Sequence, residues 1–458
     1  MEEAGKQMQK PRIFDFRFSV FDWPAWGRPA PRRAGARLAA RRAPAALSLL
    51  LPLFIIHAAW AQSPAERAAN AGQLLTLKNH RVLRLYGGEA KERGFAHGYL
   101  LAAEIRDDLD AALCSLPNFG AQRYERGLLP WAQRNFVWDS AAAAELEGLF
   151  EGLSEKLGPD GLRSRSLGRA LGREDIVAIN VLADYFGPAC SGFAAWGKRS
   201  AGGEVIHART LDFPIGPKVI ADQIMVASAA LPGRAAWVAI GWPGLIGQYT
   251  GMNSHGLTVC IHDAYNLKHG GSERDFMARG LLARRMLEAI DPHVSDPAEQ
   301  GAKLAAAQPV ACGDLFQLAW PRAAGEKLGG APSAVLEFDP SDRKVDIRRG
   351  DPSGVLVLTN HFRVRTPPEK CSRFENMVDA LETLQHSGTP IGLMEARKLL
   401  MAGEQPLAAH SVYFYPDKLE LYVALTRGNV MSPRVAPVEF TWQELFAESK
   451  KEKVKSEK

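Results

Sequence analysis

The periodicity of the apolar residues changes at one place, around "GPACSGFAAWG" at 187–197, and that change limits what the chain can fold into. Before it, "DSAAAAELEGLFEGLSEKLG" and "GREDIVAINVLADYFG" repeat apolar positions at the spacing of amphipathic helices. "LRLYGGEAKERGFAHGYLLAAEIRDDLDAAL" starts as a strand, turns at Gly87-Gly88 and runs on as a long helix. Residues 62–80 read as a polar, Ala-rich lead-in. After Cys190, "SGFAAWG", "GEVIHARTLDF", "DQIMVASAALP", "AAWVAIGWPG" and "GLTVCIHDAYN" are short apolar or alternating runs parted by Gly and Pro, which marks an antiparallel strand series. Two helical stretches, "ERDFMARGLLARRMLEAI" and "DPAEQGAKLAAA", come next, and then strands at "DLFQLAW", "SAVLEFDP", "KVDIRRG" and "GVLVLTN". Residues 373–402 return to helix and "HSVYFYPDKLELYVAL" reads as a hairpin. Sheets packed on each other and covered by helices fit this order.

The formal charge of +5 does not indicate a nucleic-acid surface. Residues 1–61 hold ten Lys or Arg against four acids, a net of +6, which leaves −1 for the rest of the chain. That stretch has the grammar of an export signal: "RRAGARLAARR", an apolar run "APAALSLLLPLFIIHAAWA", and Ala59-Trp60-Ala61 fitting a small-x-small cleavage site. The run is short and broken by Pro52, so the expectation is a periplasmic or secreted protein with no stable membrane span, an uncleaved anchor being the alternative. The five cysteines, Cys114, Cys190, Cys260, Cys312 and Cys371, show no CxxC spacing and are odd in number. In an oxidising compartment at least one thiol then stays free unless two chains pair, and it needs a role or a burial place.

"CSGFAAWGKRSAGGEVIHARTLDF" resembles the start of the catalytic chain in cysteine-type N-terminal nucleophile (Ntn) hydrolases, in the isopenicillin-N acyltransferase-like branch related to choloylglycine hydrolases and acid ceramidase-like amidases. The family pattern, Cys-[Ser/Thr]-x-Phe and then a strand ending Arg-Asn-Leu-Asp, is met by Arg209-Thr210-Leu211-Asp212, with Thr in place of Asn. Four further stretches are similar, in order: "ERGFAHGYLLAAEI", "GLIGQYTGMNSHGLTV", "ACGDLFQLA" with "AVLEFDP", and "VLTNHF" followed by "SRFEN". The resemblance implies an α+β fold, the four-layer αββα sandwich. It divides the chain into 1–61 as leader, 62–189 as a helical pre-region, 190–445 as the catalytic chain, and a charged tail at 446–458.

The chemistry requires such residues on its own terms. If the chain is cut between Ala189 and Cys190, the cysteine gains an α-amine with an ordinary pKa of about 7.7–8.0. Nucleophile and base then sit on one residue. The resemblance implies that Asp212 orients the amine, Arg209 steadies the thiolate, Asn253 donates to the oxyanion, and Asn360 and Arg373 organise the surroundings. No cofactor is expected; the Cys and His spacing suggests no metal, and the charge balance no nucleic-acid partner. The expected activity is self-processing followed by hydrolysis, or acyl transfer, of a small linear amide. A lipid amidase or phospholipase B-like esterase on the same fold, and a non-catalytic periplasmic binding protein, are the alternatives. Phe213, Trp196 and Trp242 are candidates for an acyl pocket or for aromatic core. His255, His262, His361 and His410 lack metal spacing and read as packing or surface residues, and Cys260 and Cys312 as core thiols.

Overall fold

A computed structural model describes residues 62–116, 119–264, 274–350 and 354–447. The expected leader, residues 1–61, and residues 448–458 of the expected tail lie outside them. Strands of the described residues form two sheets. The first runs in the order β1 (Gly72–Leu77), β2 (His80–Leu85), β5 (Ile224–Ser228), β6 (Trp237–Gly241), β7 (Thr250–Asn253), β8 (Thr258–Ala264), β9 (Gly313–Ala319), β10 (Ser333–Phe338) and β11 (Asp346–Arg349). The second runs β12 (Val355–Leu358), β3 (Ala189–Ala195), β4 (Ile206–Asp212), β13 (Ala408–Tyr415), β14 (Glu420–Leu425) and β15 (Val438–Thr441). Neighbours pair antiparallel except β2 with β5.

The packing fixes the layers. Val82, Met225, Val238 and Ile240 of the first sheet meet Val412, Phe414, Leu421 and Val423 of the second in one buried cluster, so the sheets lie face to face. Residues one step along the same strands, Leu83, Val226 and Ala239, point the other way, to helical residues such as Leu146, Leu149 and Met286. On the second sheet, Phe193, Ala208 and Tyr413 turn outward onto Met377, Leu381 and Leu399. The result is helix, sheet, sheet, helix: the αββα sandwich. Strands covered on both faces cannot alternate with polar residues, which is why "IMVAS" and "WVAIG" are apolar or small throughout.

Residues 62–189, expected to form a helical pre-region, hold more than helices. Where a lead-in was expected at 62–80, a helix Pro64–Ala71 with a Ser63–Glu66 capping box precedes β1. The β1–β2 turn is made by Lys78 and Asn79, both with positive φ (48° and 63°), and the hairpin then joins the first sheet through β2. The Ala-rich composition hides a short edge strand, β1, whose hairpin partner β2 joins the sheet only through the distant β5.

The glycines of "ERGFAHGYLL" have a packing cause. The helix Ala90–Leu100 crosses the helix Ser140–Gly161 with Gly94 and Gly98 set against Gly148 and Gly152. A Cβ on Gly94 would lie 1.9 Å from the Glu145 carbonyl oxygen, and one on Gly148 would lie 2.0 Å from that of Lys91. Only glycine lets these backbones touch. The expected helix at 373–402 is two helices, Ser372–His386 and Leu393–Ala402, parted at Gly388 (φ 64°).

Candidate active site

Strands β3 and β4 are adjacent in the second sheet, with Ala189 opposite Asp212, Cys190 opposite Leu211, Ser191 opposite Thr210 and Gly192 opposite Arg209. Opposed residues share a face, so period two puts Cys190, Leu211 and Arg209 on one side and Ser191, Thr210 and Asp212 on the other.

Cys190 and Arg209 face the first sheet and are completely buried. Arg209 Nη2 donates to Cys190 Sγ at 2.9 Å and to the Ile261 carbonyl at 2.8 Å. Its Nη1 donates to the Tyr249 carbonyl at 3.3 Å and to the Thr250 hydroxyl. Burial pushes the Cys190 thiol up to about 11, against the downward pull of the Arg209 charge. In this uncut chain the sulfur is therefore a neutral thiol with a cation already in contact.

On the other face, Arg373, in the first turn of the helix Ser372–His386, donates to the Cys190 carbonyl at 2.8 Å and to the Ser191 hydroxyl at 3.3 Å. Its other terminal nitrogen donates to Asn360 Oδ1 at 2.8 Å. That same oxygen accepts the main-chain N–H of Cys190 at 2.8 Å. Asn360 Nδ2 donates to the Asp263 carbonyl at 2.6 Å and, more loosely, to the Pro188 carbonyl at 3.4 Å. The Asn360 amide thus holds the nitrogen of the Ala189–Cys190 bond with its oxygen and reaches the carbonyl of Pro188, one peptide earlier, with its nitrogen.

Asp212 completes the cluster. It is 1% exposed, neither carboxylate oxygen accepts a hydrogen bond, and Arg373 Nη1 stands 3.9 Å off. Burial pushes its carboxyl up to about 8, with Arg373 and Arg209 pulling the other way. The chain reaches this place through Gly187, whose φ of 66° ends the helix Leu182–Phe186 and whose missing Cβ would fall 2.6 Å from Asp263 Oδ2. A side chain here would force Pro188 and Ala189 away from the thiol.

Cys190, Arg209, Asp212, Asn360 and Arg373 are brought together; Asn253 does not join them. Its Nδ2 donates to the carbonyls of Leu287 and Ile290 at 2.8 and 2.9 Å, and its Oδ1 accepts from the N–H groups of His255 and Leu257. All of its capacity is spent on the β7–β8 turn and the end of the helix Arg279–Ala289, so the expected oxyanion donor is a turn anchor. The departure at Thr210 sits on the face away from the thiol, where its hydroxyl pairs with that of Ser411 at 2.9 Å. Phe213 and Trp242 lie 6.4 Å apart between ring centroids, while Trp196 packs near Gly350, past the far end of β3.

Three polar residues behind Arg209 were not read as a group in the sequence. Thr250 Oγ1 lies 2.9 Å from His410 Nε2, and His410 Nδ1 lies 2.6 Å from Gln223 Oε1. All three are buried. They come from three separate parts of the chain, and no spacing links them. Among the described residues no three His, Cys, Asp or Glu side chains are grouped to hold a metal ion, and no helix is long and apolar enough to cross a membrane.

No family model and no curated protein matches the sequence. Solved structures do resemble it at low identity. The Caenorhabditis elegans ortholog of N-acylethanolamine-hydrolyzing acid amidase is 13% identical, with a TM-score of 0.38 over 55% of this chain and 100% of that one. A mutant conjugated bile acid hydrolase from Clostridium perfringens is 13% identical, with a TM-score of 0.37 over 57% of this chain and 95% of that one. Penicillin V acylase from Agrobacterium tumefaciens is 14% identical, with a TM-score of 0.38 over 57% of this chain and 89% of that one.

Proposed function

We propose that this protein is an exported cysteine Ntn hydrolase that cuts itself before Cys190 and then hydrolyses a linear, non-peptide amide through a Cys190 thioester. One observation carries the reading. The nitrogen and the carbonyl of a buried cysteine are gripped by Asn360 and Arg373 while its sulfur is gripped by Arg209. An interior packing cysteine has no need of three such contacts.

In the first reaction Cys190 Sγ bonds to the Ala189 carbonyl carbon, the C–N bond breaks, and the thiol proton ends on the freed nitrogen. Water then opens the thioester to give the Ala189 carboxylate and the Cys190 thiol. The new amine arises beside Asp212, because Ala189 and Asp212 are opposed in register. A buried carboxylate without a hydrogen-bond partner gains one. Departure of Pro188 also releases the weaker Asn360 Nδ2 contact, leaving that N–H free for an oxyanion. Asn360 thus takes the role first expected of Asn253.

In turnover the α-amine takes the thiol proton and Sγ bonds to the substrate carbonyl carbon. The ammonium then returns that proton to the departing amine. Water, deprotonated by the same amine, cleaves the thioester and restores the thiol. Arg209 stabilises the thiolate on which both half-reactions depend.

Intact mass and N-terminal sequencing of the purified protein, beside Cys190→Ala, test the reading. Two fragments are expected, the larger starting Cys-Ser-Gly-Phe, with the variant whole. A wild-type chain that stays whole removes the α-amine and with it the proposed turnover.

A further inference from the structure

A hydroxyl serves Arg209 as an acceptor only if its own proton is directed elsewhere, and the groups behind Thr250 fix that direction. Gln223 Nε2 lies 2.8 Å from the Ile220 carbonyl and 3.0 Å from the Ala409 carbonyl, both of which only accept. The amide therefore has one orientation, with Oε1 turned to His410 as an acceptor. His410 Nδ1, 2.6 Å from that oxygen, must carry the proton. In a neutral imidazole Nε2 is then bare, so the Thr250 hydroxyl, 2.9 Å away, donates to it. The lone pairs of Thr250 are left for Arg209 Nη1.

We propose that Gln223, His410 and Thr250 are positioning residues for Arg209: a hydrogen-bond chain of fixed direction, with His410 neutral and protonated on Nδ1, that holds the guanidinium against Cys190 Sγ. This rests on Cys190 being the nucleophile. A second proton on His410 would turn Nε2 into a donor toward Thr250 and swing the hydroxyl proton toward the Arg209 N–H groups. Burial, joined by the charge of Arg209, holds His410 well below the ordinary imidazole range, which keeps the chain in one sense. The titratable and charged groups around the thiol are Arg209 and Asp212 from β4, Arg373 from the helix Ser372–His386 and Cys260 from β8. Of these, Arg209 alone is bonded to Thr250.

The test follows the rate of Cys190 alkylation by iodoacetamide against pH, read on the Cys190 peptide by mass spectrometry. Wild type, Thr250→Val and Thr250→Ser are compared. Loosening the cation should raise the alkylation midpoint of Thr250→Val by about one pH unit, roughly tenfold slower reaction at neutral pH, while Thr250→Ser, which keeps the hydroxyl, stays near wild type. An unchanged midpoint in a folded Thr250→Val protein overturns the proposal. A second measurement needs no variant at Thr250: ¹⁵N-histidine NMR, with His410 assigned by the resonance missing from His410→Gln. It should show an Nδ1-protonated ring that does not titrate between about pH 5 and 8. The opposite tautomer, or titration in that window, overturns it as well. Whether the wild-type chain is cut is read in the same mass spectra, so failure of self-processing and failure of this chain of contacts are told apart.

Discussion

The Asn360 side-chain carbonyl accepts the main-chain N–H of Cys190 at 2.8 Å, across 170 positions of sequence. The contact ties the segment just after β12 to the start of β3, at the peptide bond whose cleavage is proposed to create the nucleophilic N-terminus. Asn360→Ala should therefore slow self-cleavage, by releasing the nitrogen of the scissile bond, and slow turnover by about 10²–10³, the usual cost of an oxyanion donor. Time courses of fragment appearance on a gel would read the first effect. Cleavage at the wild-type rate would separate Asn360 from the chemistry.

Asn253→Ala should do the reverse. It leaves the Leu287 and Ile290 carbonyls and two turn N–H groups without partners, each costing about 1–3 kcal/mol if buried and unpaired. A lower thermal midpoint with unchanged cleavage kinetics is expected. Lost cleavage in a stably folded variant would return Asn253 to the site.

Asp212 gives the uncut chain a pH signature. Its carboxyl titrates near 8 in the fold against about 3.9 when unfolded, so the folded chain holds the extra proton. The associated stability is complete below about pH 4 and is lost as pH rises through about 8. In Cys190→Ala, which the proposed mechanism leaves whole, thermal stability should fall over that window, and adding Asp212→Asn should flatten part of the fall. Parallel slopes with and without Asp212→Asn would mean that the group is ordinary.

Arg279 is a second buried centre, next to the site but outside the chemistry. It is fully buried, bonds Asp263 at 2.7 Å, lies 3.3 Å from Asp314, and its main-chain N–H donates to Asp184 at 3.0 Å. Asp184 precedes Cys190 in sequence while Asp263, Arg279 and Asp314 follow it, so the cluster joins the segments on either side of that cysteine. Arg279→Met strands the carboxylates and should cost about 3–5 kcal/mol. The deficit should shrink from pH 8 to 5, because burial raises all three acids, Asp184 to about 6, and protonation removes their charge. Denaturant melts at several pH values would read this, and a constant deficit would count against it.

The crossing of the two glycine-bearing helices predicts a steric failure. Gly98→Val places carbon where the Leu149 carbonyl oxygen stands only 1.9 Å from an ideal Cβ. The helices must part, and a loss of several kcal/mol or outright misfolding is expected. Near-wild-type melting would show that the contact yields more easily than its geometry suggests.

Local rules carried much of this protein on their own. The change of period at Cys190 separated the helical segments from the strand series. Residues of one strand that are two apart share a face, so once the strand is given, Arg209 and Leu211 fall on one side of it and Asp212 on the other. A glycine followed by a proline is a local helix stop, and Gly187-Pro188 ends the helix before Ala189–Cys190 with a φ of 66° that suits glycine. The glycines at 94, 98, 148 and 152 were visible, though their cause, backbone contact between helices, was not.

Tertiary structure decided the rest. "MNSHG" and "TNHF" offer equally plausible asparagines, and only inter-element packing spends the first on a turn and sets the second on the cysteine. The β1–β2 hairpin lacked a strong local signal because its stability comes from pairing with β5, more than a hundred residues on. Gln223, His410 and Thr250 lie in separate strands or loops, so no spacing could connect them. Sequence patterns encode what neighbours along the chain share: a period, a cap, a face. A site assembled between two sheets depends on contacts across the core, which arise only once the sheets have packed.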